Sequence, residues 1–414
     1  MGQPFEQEKS PQSRSLTDIE QGSGDSSGAF VGISTEAHAM RRRLSVGAVI
    51  ATATVFGLSY SLSAPLIAMS LEQRGYSSSF IGINAAMHAV GVLLIAPWMP
   101  ALASRLGARR LIFLALIITG AVLAVFTRLQ DVHWWFPLRV LLGAAAEALF
   151  VMSETWTNEL SLEQSRGRTM AIYTASLSLG MVLGPALLSL LGVGARAYLA
   201  GAAVALGAVV FVAMPWVMTP ARSHPALAHP LTYVRLAPVA MATTVLNAGV
   251  ETAGLSFIAL YATRQGWTEG DAMRLISTLM LGAILLQLPI GWLADRFDKR
   301  QLVLALAAIS AFGALLWPFA LGEPWLAFGL VFAWGGLFVG IYTVMLAMVG
   351  SRYSGGELVG VYAVMGMAWG LGALVGPALA GVAMGVNALF GLPGIIALGC
   401  AAFAVFLKRS RSSV

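Results

Sequence analysis

Twelve apolar blocks separated by short polar breaks constrain this chain more than any other feature. Each is about 20 residues long, enough for a helix to cross the ~30 Å hydrocarbon core of a bilayer. Backbone groups in hydrocarbon find no water, so each block must satisfy its own N–H and C=O groups as helix. Period-2 alternation does not run through the blocks, which argues against a transmembrane barrel. Of 414 residues, 58% are hydrophobic and 11% charged, whereas soluble domains carry about a quarter charged residues. The expectation is an all-α, multi-pass integral membrane protein.

The expected spans are 44–68, 80–101, 110–128, 135–156, 168–191 and 196–217, then 235–262, 270–294, 301–320, 324–348, 357–384 and 388–407. Residues 1–40 are rich in Ser, Gln and Gly without apolar periodicity, which predicts a disordered tail. Pro220, Pro225 and Pro230 punctuate a polar stretch that breaks the rhythm of short loops. The chain therefore divides into a tail 1–40, a six-helix bundle 41–218, a linker 219–234, a second six-helix bundle 235–407 and a short tail 408–414. Trp134, Trp135, Trp267 and Trp325 stand at span ends, where indoles favour the membrane–water interface.

The net charge of +6 is unevenly distributed. With the N-terminus inside, inner segments hold 19 Lys and Arg against 5 in the outer loops. Basic residues stay on the cytoplasmic side of membrane proteins, so both termini are expected there and the span count is even. This distribution argues for a lipid bilayer, and against nucleic acid, as the surroundings of the charge.

The halves repeat. Leu102-Ala103-Ser104-Arg105 recurs as Leu293-Ala294-Asp295-Arg296 after 191 residues, and Gly184-Pro185-Ala186-Leu187 as Gly376-Pro377-Ala378-Leu379 after 192. Two short matches at nearly one offset predict a six-plus-six duplication. Gly180 and Gly184 at i,i+4 form a smooth face for a close helix neighbour, and Pro185 permits a bend.

Ionisable residues inside spans are costly and mark polar pathways. Arg139, Gly143, Glu147 and Glu154 fall within a ~80° arc of the fourth span. Glu147, near mid-span, is the first candidate for proton coupling, with Arg139 two turns outward as its counter-ion. Glu251 in the seventh span is the second such acid. Glu154 and Glu159 are expected to pair with Arg166 or Arg168 across a short loop. Tyr60, Asn84, His88, Asn247 and Gln287 can supply hydrogen bonds to a ligand. The lone Cys400 builds neither a disulfide nor a metal site. Catalytic spacings, nucleotide loops and metal-ligand clusters are missing from the sequence, so neither an enzyme nor a cofactor or metal is expected.

These residues resemble the major facilitator superfamily across 41–407. Its signature G-x-x-x-D-R-x-G-R-R-R between the second and third spans is matched in part by residues 100–110, through Arg105, Gly107, Arg109 and Arg110, with Pro100 and Ser104 departing. Residues 291–300 keep Gly291, Asp295, Arg296 and the basic pair Lys299-Arg300. Arg139, Gly143 and Glu147 resemble the family's R-x-x-x-G-x-x-x-(A/E), and Gly180-x-x-x-Gly184-Pro185 its Gly-Pro motif, frequent in proton-driven exporters. The resemblance implies twelve transmembrane helices in two pseudo-symmetric six-helix bundles, in a bacterial cytoplasmic membrane. It implies a monomeric secondary transporter of a small molecule working by alternating access, with protons as partners. Arg105, Gly107, Asp295 and Arg296 would act as cytoplasmic latches, and Gly184, Pro185, Gly376 and Pro377 in gating. Export is favoured over symport, facilitated uptake or a transporter-like sensor.

Overall fold

The computed structural model describes residues 24–162, 166–219, 237–353 and 355–410 and is helical throughout them. The first bundle comprises α1 (Gly24–Gln73), α2 (Ser78–Ile95), α3 (Met99–Leu106), α4 (Ala108–Phe126), α5 (Trp135–Leu160), α6 (Arg166–Leu191) and α7 (Ala195–Ala213). The second comprises α8 (Pro238–Arg264), α9 (Glu269–Leu285), α10 (Gln287–Arg296), α11 (Lys299–Leu315), α12 (Trp317–Ala320), α13 (Pro324–Arg352), α14 (Gly355–Val386) and α15 (Gly391–Arg409). Three spans are therefore broken: the second at Ala96–Trp98, the eighth at Leu286 and the ninth at Leu316. Pro97, Pro289 and Pro318 stand at these breaks, each removing a helix hydrogen bond. Among the described residues eleven helices are long and apolar enough to cross a membrane. The twelfth span is α11 continued by α12.

The first helix starts at Gly24, inside the stretch expected to be a disordered tail. Residues 1–23, 220–236 (which include all of the expected linker 219–234 except Thr219) and 411–414 lie outside the described residues.

The duplication is written into the packing. A Cβ on Gly91 would overlap the carbonyl of Val140, and one on Gly282 the carbonyl of Phe332. One on Gly143 would overlap His88 O, and one on Gly335 Leu279 O. Each pair is related by the sequence offset, so α2 crosses α5 as α9 crosses α13. In the same way Gly180 and Gly184 rest on α1, and Gly372 and Gly376 on α8. Hydrocarbon gives helices no hydrophobic reason to associate, so close backbone approach at small residues supplies the attraction. Gly75 (φ 81°) and Gly266 (φ 91°) turn the chain at equivalent places, where a side chain would be strained. Each turn precedes a helix N-cap, with Ser77 accepting from Phe80 N–H and Thr268 from Asp271 N–H.

Arg109 donates to the carbonyls of Met214 and Val217, and Arg300 to those of Leu407 and Ser410. Each bundle thus uses an equivalent guanidinium to satisfy orphan carbonyls at the end of its last helix.

The four span-end tryptophans differ in burial. Trp134 and Trp325 are exposed. Trp135 is fully buried, edge-on to Phe126 and capped by Arg74 at 4.7 Å, and its N–H donates to Leu129 O. Half-buried Trp267 donates likewise to Leu321 O, the equivalent carbonyl. A buried indole is tolerated once its N–H is bonded.

Gly143→Val and Gly335→Val should each destabilise the protein by about 1–3 kcal/mol or more through overpacking, whereas Gly329→Ala, with open space around it, should be neutral. Thermal midpoints of the purified variants in detergent test this; a Gly143→Val midpoint equal to that of Gly329→Ala would refute the packing account.

Candidate functional site

The bundles meet through α1 with α8, α2 with α14, and α6 with α9. Their hydrogen bonds across the interface gather toward one face, opposite the face that carries the end of α15; we call these the distal and terminal faces. Arg264 Nε and Nη2 donate to the two carboxylate oxygens of Glu72 at 2.8 and 2.9 Å. The residues occupy equivalent positions in α8 and α1, so the pseudo-twofold brings opposite charges together. Gln73 donates to Glu269 at 2.6 Å, and Ser277 to the carbonyl of Val182 at 3.2 Å. Gly82 and Gly381 let α2 and α14 touch, at the carbonyls of Pro377 and Ser78.

The terminal face is different. Arg105, Asp295 and Arg296 are exposed. Arg296 lies over the Trp292 ring at 3.8 Å, and Asp295 forms no ion pair within the described residues. Helix α3 packs on α4, and α10 on α9, α11 and α13, each within its own bundle. Gly107 (φ 80°) makes the turn from α3 into α4. In this conformation the halves are clasped at the distal face, and the expected latch residues do not bridge them.

A cavity of about 180 Å³ lies within the second bundle, where α6 of the first packs against it. Asn247 and Glu251 of α8 enter it beside Ser178 and Met181 of α6. Trp317, Trp334 and Phe338 form its aromatic wall. Trp334 lies edge-on to Trp317 at 4.8 Å and parallel to Phe338 at 5.0 Å, and its N–H is bonded to Ser310 O. Two polar atoms at this wall lack any partner, Asn247 Oδ1 and Trp317 Nε1. Glu251 makes no hydrogen bond or ion pair among the described residues and stays half-buried. The chamber is apolar with few convergent polar groups, as small-molecule sites are.

A second polar group lies in the first bundle, where α2 faces α5. Tyr60 packs against His88 with ring centroids 5.2 Å apart. Asn84 and His88 are buried, as is Arg139 at 3% exposure. Arg139 Nη2 reaches Ala85 O at 3.5 Å, and its Nε has no partner. Tyr60, Asn84, His88 and Arg139 do not line the cavity.

Several expected contacts differ. Arg139 forms no ion pair with Glu147, because eight residues of helix separate them by about 12 Å along the axis. Glu147 is half-buried, unpaired and outside the cavity wall. Gln287 is tied within its own bundle, donating to Ala283 O and accepting from Thr343. Gly184, Pro185, Gly376 and Pro377 sit in tight helix contacts. The side chains of Arg166 and Arg168, expected partners of Glu154 and Glu159, lie outside the described residues. Sequence reasoning missed Trp317, Trp334 and Phe338, and the Glu72–Arg264 clasp; the offset of 192 between those two residues was the available signal.

Two six-span helical bundles, joined at one face by an ion pair and hydrogen bonds, define the class of fold: a duplicated multi-pass helical membrane protein. The Major Facilitator Superfamily model matches residues 49–275 and 239–414, and the chain belongs to that superfamily. It is 26% identical over 340 residues, 79% of this chain and 85% of the relative, to the uncharacterized MFS-type transporter YfkF of Bacillus subtilis (strain 168). Its fold is similar to that of a point mutant of the nucleoside transporter NupG (TM-score 0.75, 14% identity, covering 88% of this chain and 99% of that one). It is also similar to a bacterial homologue of the human lysosomal transporter Spinster (TM-score 0.71, 15% identity, 89% and 95% covered) and to a D-xylose-proton symporter (0.68, 14%, 88% and 97%). Family and relatives point to a transporter rather than an enzyme.

Glu72→Arg and Arg264→Glu should each loosen the distal face, and the double exchange should restore it. The clasp is half-exposed, so the shift should be about 1 kcal/mol, or about fivefold in the ratio of closed to open forms. Labelling of a cysteine at Gln130 in a Cys400→Ser background reads the change. Equal labelling in all three variants would refute a clasp.

Proposed function

We propose that this protein is a proton-coupled secondary transporter of a small organic solute, working by alternating access with export as the favoured direction. Glu251 carries the reading: it is a carboxylate without an ion pair among the described residues, on the wall of the cavity where α6 meets the second bundle. A carboxylate's proton affinity follows its burial and the charges it faces, and both change when access passes from one face to the other. Glu251 is the leading coupling group and Glu147 the second, in the neighbouring bundle. Asn247 orients the solute from α8, and Tyr60 contributes from α1.

The terminal face is cytoplasmic in this reading, with both termini inside a bacterial membrane; the bias of basic residues supports it. Arg105, Asp295 and Arg296 would meet across that face in the outward-open form, which supports a latch role there. The favoured direction rests on the Gly-Pro motif of the fifth span. The protein acts as a monomer, since each chain holds both bundles and the cavity where α6 meets the second.

Purified protein in liposomes with an imposed pH gradient, screened over a compound panel, tests the reading. Glu251→Gln should abolish gradient-driven accumulation while leaving solute exchange intact, and Glu159→Gln should behave as wild type. Wild-type accumulation by Glu251→Gln would remove Glu251 from the coupling step and make Glu147→Gln the deciding variant.

A further inference from the structure

Arg139 presents an unsolved charge balance. Its guanidinium stays protonated at every physiological pH and carries five N–H donors. It is 3% exposed, makes one hydrogen bond at 3.5 Å and meets no carboxylate among the described residues. A buried charge without a partner is strongly destabilising, so the fold bears this cost for something not yet in place. The surroundings are equally unfinished. Both ends of the Asn84 amide, His88 Nδ1 and Arg139 Nε are buried without partners. Asn84 and His88 sit one turn apart on α2, and the His88 carbonyl rests on Gly143, one turn along α5 from Arg139.

We propose that Arg139, Asn84 and His88 form an anion subsite that takes the carboxylate of the transported solute. This rests on the transporter reading above and names its substrate class, an organic monocarboxylate. Arg139 offers the planar fork that matches a carboxylate bidentately, and the Asn84 amide adds a donor. His88 Nδ1–H adds another in the tautomer that the occupant selects. Asn84 Oδ1 accepts from a hydroxyl adjacent to the carboxylate. One cation and otherwise neutral donors suit a monoanion better than a phosphate dianion. Tyr60 packs on His88, its ring centroid 5.2 Å away, and bounds the subsite from α1. The repeat supports the assignment: the equivalents of Asn84, His88 and Arg139 in the second bundle are Leu275, Leu279 and Val331, so packing alone does not demand polar residues there.

Equilibrium binding tests this without requiring transport. Full-length protein in lipid nanodiscs is titrated with straight-chain, branched and aryl monocarboxylates, each beside its carboxamide and sulfonate. Melting midpoint and tryptophan fluorescence are the readouts. At least one carboxylate should stabilise the protein with its amide about tenfold weaker or worse, since loss of a charged hydrogen bond costs about that factor. Arg139→Gln should lose that preference, Arg139→Lys should keep part of it, and Glu159→Gln should bind the carboxylate as wild type does. If Arg139→Gln does not fold, Asn84→Leu must weaken the carboxylate and spare the amide. Equal binding of acids and amides, no binding by any acid, or preference for the sulfonates over the acids would overturn the proposal. Because binding is read at equilibrium, a failure of proton coupling leaves this result standing.

Discussion

Hydrocarbon neither bonds a polar backbone nor rewards the burial of one apolar side chain against another. A chain crossing it twelve times must therefore close its hydrogen bonds within helices and hold the helices together by contact. Here that contact is made where a glycine faces a carbonyl. Gly91 on Val140 and Gly143 on His88 bind α2 to α5, and Gly282 on Phe332 and Gly335 on Leu279 bind α9 to α13. These crossings leave no room for a single Cβ, so they hold α2 against α5 and α9 against α13 at close range.

The duplication separates what is scaffold from what is function. Packing glycines, turn glycines, N-caps and the carbonyl-capping pair Arg109 and Arg300 recur in both halves. The polar residues do not. Arg139, His88 and Asn84 face apolar equivalents, and Glu251 stands where the first bundle has Ser59. Maintaining such groups in a membrane interior is costly, and their absence from the sister bundle shows that the architecture stands without them. Glu72 and Arg264 are an intermediate case, equivalent positions that diverged into complementary charges and joined the halves.

Helix spans, their order and the internal repeat were legible because each rests on local sequence: block length, proline position and offset. The candidate site was legible in part. Periodicity placed Asn247 and Glu251 on one face of α8, and both line the chamber. It also aligned Arg139 with Glu147, but a shared stripe gives direction and not distance, and the two do not meet. Trp135 shows the same limit. Its position at a helix end suggests the interface, yet Phe126, Tyr198 and Arg74 enclose it, and two of those lie on other helices. Gln287 is spent on Thr343 for the same reason, a partner 56 residues away.

The central claim is that two bundles exchange a closed distal face for a closed terminal one. Spin labels at Gln130 and Glu323 report the distal face, and labels at Arg110 and Gln301 the terminal face. Pulsed electron-resonance distances for each pair, in lipid nanodiscs at acid and at alkaline pH, test the claim directly. The account predicts that the populations shift in opposite senses, the distal distance lengthening as the terminal one shortens. Distances that change together, or on one face alone, would contradict it.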